Sequence, residues 1–309
     1  MRSTYLIIIL SLSFTSNLPA DEYTIAIRAH KGIQNAQAQW QATIDVLNKN
    51  IPEHTFRIAP VLSLKEISKR AKDGGFDFLL TNPSSFVEVN KLYGAQALVT
   101  LNNKRENTTQ SQFGSVIFTH VKNRNIRSIK DLKNRTLMVV SEPAFGGWRV
   151  AWLEMLEQDF NPYDELKELL FTESKTQPDV VYAVRDRKAD AGVVRTDLLE
   201  RMEKAGKIDM RYFRIINNKD IKGFPFFLST KLYPEWSFSA LKHVPSKRAA
   251  QVKKTLLSIS ESSGAAKSGK YVGWIEPEDY SSVDELMRRL KVGPYDVKQN
   301  RASNKKKLN

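Results

Sequence analysis

Two turns between a strand and a helix hold the residues of this chain that best suit anion binding. Each turn follows a short apolar run and precedes a helix-like pattern. The first N–H groups of a helix have no partner within the helix, and the helix dipole adds partial positive charge, so such a turn can seat an anion. The candidate ligand residues are Thr81 and Asn82 in the first turn, and Ser141, Phe145, Gly146 and Gly147 in the second.

Two arginines that end predicted strands add to this set. Arg28 closes the first strand, and Arg195, followed by Thr196, closes a later one. In open α/β sheets the ligand lies outside the carboxyl ends of the strands. A guanidinium at that edge suits a bidentate bond to a sulfonate, phosphonate or carboxylate. We therefore expect Arg28, Arg195 and Thr196 to contact a small anionic ligand.

The sequence also allows purely structural roles for the same residues. Arg195 could simply pair with Asp197 or Glu200, and Arg28 with a surface acid. Asn82 could be only a helix cap. The two glycines could serve only close packing, since a residue without a side chain also allows that.

The chain carries no recognised catalytic motif. It has no HExxH, G-x-S-x-G, Walker loop or G-x-G-x-x-G, and its four histidines are dispersed. Its lack of cysteine excludes thiolate metal sites and a cysteine nucleophile. We expect no catalytic residue, no metal and no cofactor, and a binding protein rather than an enzyme. The alternative, a secreted enzyme on the same scaffold, would be revealed by turnover of a bound thioester, phosphonate or sulfur oxyanion.

Composition leaves several anionic partners open. The formal net charge is +14 over 309 residues, and part of it lies in the basic stretch 298–309, which has no apolar pattern and is expected to be disordered. The remaining excess fits an anionic ligand, a membrane surface or simply a solvated basic surface. Because the basic residues are scattered and no nucleic-acid motif is present, no nucleic-acid partner is expected. A protein that binds polyanions through its basic tail is a further alternative.

The N-terminus is typical of a secretion signal. Arg2 gives a positive start, an apolar run follows, and a small residue, Ala20, precedes Asp21. That run is too short to span a bilayer, and no later stretch approaches the required length. The absence of cysteine also excludes a lipidated cysteine. We expect a soluble periplasmic protein with no stable membrane insertion.

Alternating strand and helix signals predict an α/β fold with a mostly parallel sheet. The expected division is a signal peptide at 1–20, lobe 1 at 21–121 plus 222–297, lobe 2 at 122–221, and the tail at 298–309. Within the last part of lobe 1, Phe226–Ser229 is predicted as a strand. A chain that crosses between lobes twice permits hinge closure about a cleft. We expect a monomer that binds its ligand in this cleft.

Seven motifs, in order, give the chain a family resemblance. It resembles, from Ile25 to about Leu290, the periplasmic sensor domain of tetrathionate-sensing histidine kinases, within the phosphonate/phosphite-type solute-binding superfamily. The motifs are Trp40-Gln41-Ala42-Thr43, Phe78-Leu79-Leu80-Thr81-Asn82-Pro83, Phe113-Gly114-Ser115-Val116-Ile117, Ser128-Ile129-Lys130-Asp131-Leu132, Ala144-Phe145-Gly146-Gly147, Ala189-Asp190-Ala191-Gly192-Val193-Val194-Arg195-Thr196 and Ser229-Thr230-Lys231-Leu232-Tyr233-Pro234-Glu235-Trp236.

The resemblance implies a type II two-lobed periplasmic-binding-protein fold with a hinged cleft between the lobes. It also implies an oxyanion ligand, and as partner either an ABC transporter permease or a membrane sensor kinase. Some family sensors carry cysteines near the positions of Arg195 and Phe227, and this chain has none. That departure puts a thiol-reactive or tetrathionate-specific role in doubt. Because no kinase core precedes Asn309, we expect the signal or the ligand to pass to another protein.

Overall fold

A computed structural model describes residues 21–29, 32–105 and 108–296 of the chain. The expected signal segment 1–20 and the expected tail 298–309 lie outside the described residues. The strands are β1 (Glu22–Arg28), β2 (Thr55–Val61), β3 (Phe78–Thr81), β4 (Gln96–Arg105), β5 (Thr108–Gln110), β6 (Gln112–Phe113), β7 (Ser115–His120), β8 (Thr136–Val139), β9 (Glu168–Phe171), β10 (Ala191–Arg195), β11 (Phe213–Ile216), β12 (Tyr233–Pro234), β13 (Ser237–Ala240) and β14 (Tyr271–Ile275).

Helices alternate with these strands along most of the chain. They are α1 (Ile33–Asn50), α2 (Leu64–Lys72), α3 (Pro83–Tyr93), α4 (Val150–Glu157), α5 (Pro162–Glu165), α6 (Gln177–Arg185), α7 (Leu198–Lys204), α8 (Ser246–Leu257), α9 (Gly264–Gly269) and α10 (Ser281–Leu290). A π-helical turn over Phe145–Arg149 leads directly into α4. Within the described ranges, no helix combines the length and the apolar character that a membrane span requires.

A seven-stranded sheet forms the centre of lobe 1. Its order is β14-β4-β13-β3-β1-β2, with β5 added to β4. Strand β1 is parallel to β2 and β3, and β13 is antiparallel to both of its neighbours. The apolar face of α1, with Trp40, Ile44 and Leu47, packs on this sheet. Burial of these large side chains is the main stabilising contribution of the lobe.

A five-stranded sheet in the order β11-β7-β10-β8-β9 forms the centre of lobe 2. Strand β10 is parallel to β8 and antiparallel to β7. Strand β11 is antiparallel to β7 as well, so the carboxyl ends of β10 and β11 lie at one edge of the sheet. That edge carries Arg195, the last residue of β10.

The chain crosses between the two sheets twice, at neighbouring places. Strands β6 and β12 pair as a short antiparallel ribbon in which Tyr233 lies opposite Phe113. The outgoing segment reaches β7 through Gly114, and the returning segment reaches β13 through Glu235 and Trp236. We propose lobe boundaries at these two crossings, near residues 114 and 230.

Two sequence predictions about strands differ from the structure, and an observed central strand, β13, was not predicted. Ser115–His120 was expected in lobe 1, but it pairs with β10 and β11 in the sheet of lobe 2. Phe226–Ser229 was expected as a strand and is irregular. The central strand that was not predicted, β13, lies between β3 and β4 in the sheet of lobe 1. Its serines at 237 and 239 are fully buried, so its sequence lacks the apolar signal of a central strand.

An apolar cluster joins the lobes beside the crossings. Phe86 and Val87 of α3, Val150 and Leu153 of α4, and the buried face of α10 meet in it. The Phe86 and Tyr280 rings contact edge to face, with centroids 4.8 Å apart. Both turns predicted as anion seats lead into helices of this cluster. The fold therefore places the starts of α3 and α4 on the two sides of one boundary.

Candidate ligand site at the lobe boundary

The turn after β3, called here the lobe-1 turn (Thr81–Ser84), is completed by its own side chains. The Asn82 side-chain oxygen accepts the Ser85 N–H at 3.0 Å and the Ser84 hydroxyl at 2.9 Å, and Pro83 occupies the first helical position. Asn82 thus caps α3. Thr81 is fully buried, and its hydroxyl has no hydrogen-bond partner among the described residues.

The turn before α4, called here the lobe-2 turn (Ala144–Gly147), has no side-chain cap. A Cβ added to Gly146 would lie 2.7 Å from the Phe113 ring, and one added to Gly147 would lie 2.7 Å from a Val140 methyl group. Both glycines are therefore required by close packing. Among the described residues, no side-chain acceptor caps the first N–H groups of this helix. Ser141, half-buried, contributes its carbonyl oxygen to the Ala144 N–H at 3.0 Å.

Arg195 lies directly beside the lobe-2 turn. Its Cβ is 3.3 Å from the Cβ position of Gly146, and its guanidinium lies over the Phe113 ring at 4.0 Å from the centroid. That ring also contacts Phe145 edge to face. The Thr196 hydroxyl accepts the Gly114 N–H at 3.3 Å. Four predicted ligand residues, Phe145, Gly146, Arg195 and Thr196, are thus brought together at the outgoing crossing.

The guanidinium of Arg195 binds a carboxylate from the other side of the boundary. Its Nη2 donates to Glu235 Oε1, and the same carboxylate accepts the Asn103 side-chain amide and the Trp236 N–H. Glu235 is 0% exposed. Its backbone carbonyl accepts the Tyr280 hydroxyl at 2.7 Å. A fully buried carboxylate requires such a set of donors, because an unpaired buried charge is strongly unfavourable.

A second ion pair lies next to the first and also crosses the boundary. Arg105, at the end of β4, contacts the Asp197 carboxylate, which also accepts Arg201 Nε at 3.0 Å. Asp197 is buried and adopts a left-handed backbone with φ 75° at the start of α7. Burial, together with the positive charge of Arg195, lowers the pKa of Arg105, while Asp197 and Glu235 oppose that shift. The two guanidinium groups therefore lie within electrostatic range of each other.

The boundary cluster (Arg105, Arg195, Asp197, Arg201 and Glu235) carries more positive than negative charge. Three guanidinium groups face two carboxylates, so the sum of formal charges is +1. The neighbouring Glu200 accepts the Phe227 N–H at 2.7 Å, and burial raises its pKa, which favours its neutral form. Arg195 Nε is buried without a hydrogen-bond partner in the described part of the chain. An additional anion could accept a hydrogen bond from Arg195 Nε, and Glu200 Oε2 is a buried acceptor beside the cluster that also has no partner among the described residues.

Arg28 is not part of this cluster. Its guanidinium donates to the carbonyl oxygens of Val61, at 3.3 Å, and Leu62. Burial lowers its pKa, and the carboxylate of Glu66 acts in the opposite direction. Arg28 thus joins the ends of β1 and β2 within lobe 1.

Sequence reasoning missed five members of the site, of which Arg201 carried no signal in the sequence. Glu235 stands in the most distinctive of the matching motifs, yet no local pattern marked it as a partner of Arg195. Asn103 and Arg105 lie in the polar stretch 102–112, which the sequence predicts as a loop or a hairpin tip. The structure has a hairpin there, in which the end of β4 pairs with β5. Asp197 was named only as an alternative partner of Arg195, and it binds Arg105 instead.

A cavity of about 300 Å³ opens next to the cluster at the carboxyl edge of lobe 2. Glu200, one helical turn after Asp197, lines one side, and the rings of Phe224, Phe226 and Phe227 line another. Such a wall suits an apolar group. Among the described ranges, no group of three or more His, Asp or Glu side chains is arranged to hold a metal ion.

The protein has two sheets flanked by helices, two chain crossings between them and a polar cluster at the crossings. This is the architecture of a type II periplasmic binding protein. The chain belongs to the family described as "ABC transporter, phosphonate, periplasmic substrate-binding protein", whose profile matches residues 25–281. The tetrathionate sensor histidine kinase TtrS of Salmonella typhimurium is 29% identical over 276 residues, which cover 89% of this chain and 45% of that protein. The chain thus spans about half the length of this curated relative.

Solved structures share the fold at low sequence identity. XAC2383 of Xanthomonas citri, bound to ATP, matches with a TM-score of 0.67 and 15% identity, over 86% of this chain and 94% of that one. PhnD1 of Prochlorococcus marinus, in complex with methylphosphonate, matches with a TM-score of 0.65 and 14% identity, over 87% of this chain and 98% of that one. The expected two-lobed fold and the expected family are both confirmed.

Proposed function

We propose that this protein is a periplasmic binding protein that captures a small oxyanion at the lobe boundary and is not an enzyme. The observation that carries the proposal is the boundary cluster, whose formal charge is +1 and whose Arg195 Nε has no partner among the described residues. An oxyanion at the boundary cluster would accept a hydrogen bond from Arg195 Nε and balance the excess positive charge. Ligand chemistries suggested by the relatives are phosphonates and sulfur oxyanions such as tetrathionate.

The lobe-2 turn supplies the second half of the proposed site. Its uncapped helix start lies beside Arg195, so backbone N–H groups and a guanidinium would bind one anion together. Ser141, Phe145, Gly146, Gly147 and Thr196 belong to this half. Thr81, with its buried unpartnered hydroxyl, would face it from lobe 1. A ligand that contacts both lobes favours the conformation in which they are together.

Thermal melting against a panel of anions tests the proposal. The panel contains tetrathionate, thiosulfate, sulfate, phosphate, phosphite, methylphosphonate, sulfonates and dicarboxylates. A ligand at a hundred times its Kd adds about 2.7 kcal/mol to the free energy of unfolding, which a melting curve resolves. We expect one class of anion to raise Tm in the wild type and in Arg28→Ala, and not in Arg195→Ala. A panel without a response would contradict capture of these anions.

Two downstream roles fit the same site. One is delivery of the ligand to an ABC importer, in line with the family. The other is a ligand-sensing component of a two-component system, in line with the sensor-kinase relative. Deleting the gene should abolish uptake of the labelled ligand in the first case. In the second case uptake persists and ligand-induced transcription is lost. Either role places the protein in the periplasm, with the segment 1–20 as its signal peptide.

A further inference from the structure

Two buried ion pairs connect the lobes of the protein. Arg195 of lobe 2 holds Glu235 of the returning segment, and Arg105 of lobe 1 holds Asp197 of lobe 2. The exposed fractions of these four side chains are 17%, 0%, 18% and 4%. Ion pairs on the protein surface are worth little, whereas a buried pair is strongly destabilised when one partner is removed. Separation of the lobes would therefore expose or unpair all four charges.

Glu235 occupies the Nη2 donor of Arg195, one of the places at which an anionic ligand of this guanidinium would bind, while Nε has no partner among the described residues. Glu235 Oε1 already accepts from donors of both lobes, Arg195 Nη2 on one side and the Asn103 side-chain amide on the other. The guanidinium also contacts the Phe113 ring, 4.0 Å from the centroid, so both the ring and this carboxylate hold it. A ligand oxyanion that uses the Nη2 donor of Arg195 must displace Glu235.

We propose that the Arg195–Glu235 and Arg105–Asp197 pairs latch the lobes together when no ligand is bound, and that Glu235 is an internal carboxylate with which the ligand competes for Arg195. The competition rests on the proposed function, whereas the latch requires no ligand. The apparent affinity of a ligand falls by the fraction of protein in which its binding group is free. Glu235 thereby disfavours anions that bind Arg195 Nη2 more weakly than its own carboxylate does.

The latch is tested without any ligand by measuring the distance between the lobes. Since the chain contains no cysteine, spin labels attach only where a cysteine is introduced. Lys65 of α2 in lobe 1 and Glu173 after β9 in lobe 2 are both exposed and suitable for replacement by cysteine. In this labelled protein we expect one narrow distance distribution. Combining Glu235→Gln with Asp197→Asn should broaden the distribution and shift its centre.

A matched control removes an ion pair within one lobe. Lys104, the neighbour of Arg105 on β4, binds Glu261 at 2.6 Å, and both residues belong to lobe 1. Glu261→Gln should leave the distance distribution unchanged. A doubly substituted protein whose distribution equals that of the wild type would overturn the latch. Should Glu235→Gln fail to fold, the paired variant Arg195→Gln with Glu235→Gln leaves no unpaired charge and is measured in the same way, with the same broadening expected.

The competition is tested by titrating sodium tetrathionate and methylphosphonate into the full-length protein. We expect Glu235→Gln to bind the effective probe at least tenfold more tightly than the wild type, and Glu261→Gln to bind it equally well. If the wild type binds a probe and Glu235→Gln binds it no better, the role of Glu235 as competitor is overturned. If no variant binds either probe, the proposed function fails for these anions, while the distance measurement still decides the latch.

Discussion

The lobe-1 turn and the lobe-2 turn look alike in sequence and differ in how their helix starts are satisfied. In the lobe-1 turn, Asn82 accepts the Ser85 N–H and fills the position that an anion would otherwise occupy. In the lobe-2 turn no side chain caps the helix, and two glycines bring its backbone against Phe113 and Val140. A strand-to-helix turn is therefore an anion seat only when its own side chains leave the N–H groups unused.

The charged groups near the two turns also favour the lobe-2 turn as the anion site. Next to the lobe-2 turn lie Arg195 and the boundary cluster, with its excess of one positive charge. In lobe 1, Arg28 ends strand β1 as Arg195 ends β10. Its guanidinium is bound to the backbone carbonyl oxygens of Val61 and Leu62. We infer that lobe 2 provides most of the ligand contacts and that the lobe-1 turn mainly starts α3.

The largest expected effect on stability comes from replacing Arg195 of lobe 2, and Arg28 of lobe 1 provides the comparison. Arg195→Ala leaves the fully buried Glu235 carboxylate without its counter-ion, so we expect a loss of about 3–5 kcal/mol in the free energy of unfolding. Arg28→Ala removes only hydrogen bonds to carbonyls and should cost about 0.5–1.5 kcal/mol. Urea denaturation of both variants measures the difference. Equal losses would contradict a special role for the Arg195 pair.

A smaller effect is expected at the glycines of the lobe-2 turn. In Gly146→Ala the new methyl group meets the Phe113 ring, which is held between Arg195 and Phe145, so we expect a loss of about 1–3 kcal/mol. Gly264→Ala, in α9, meets no atom within 4 Å and should be neutral or stabilising by up to about 1 kcal/mol. Thermal unfolding of the pair tests this. A Gly146→Ala protein as stable as the control would show that the turn relaxes freely.

Much of the fold could be predicted because local patterns determine it. The sequence predicts a strand at Thr55–Val61 and helices at Leu64–Lys72 and from Pro83 to about Tyr93, and β2, α2 and α3 have these bounds. Periodic patterns and the caps Ser63 and Asn82 mark these elements in the sequence. Strand β13 could not be predicted in this way. The buried Ser239 hydroxyl donates a hydrogen bond to the Leu79 carbonyl at 3.2 Å, which makes its burial in the sheet possible. This hydrogen bond exists only because β13 pairs with β3, and the local sequence does not reveal that pairing.

The site was predictable only in part, for the same physical reason. A strand-end arginine such as Arg195 can be recognised from the sequence, because strand ends follow from local signals. Its partner Glu235 lies 40 residues further along the chain in an irregular segment, and nothing local connects the two. Arg105 and Asp197 meet only because β4 extends into the stretch 102–112, which the sequence predicts as a loop or a hairpin tip. Ion pairs between lobes follow from topology and not from spacing.

The smallest effect separates capping from ligand binding at Asn82. Asn82→Ala removes the acceptor of the Ser85 N–H and should cost about 1 kcal/mol, as expected for a lost N-cap. Ser63→Ala is the matched control in the same lobe, because the Ser63 hydroxyl accepts the Glu66 N–H at 3.0 Å at the start of α2. If Asn82 only caps α3, both variants lose similar stability in urea and bind the effective anion with affinities within about twofold of the wild type. A tenfold weaker affinity in Asn82→Ala alone would instead place Asn82 in direct contact with the ligand, as the sequence predicts, and would make the lobe-1 turn an equal partner in the site.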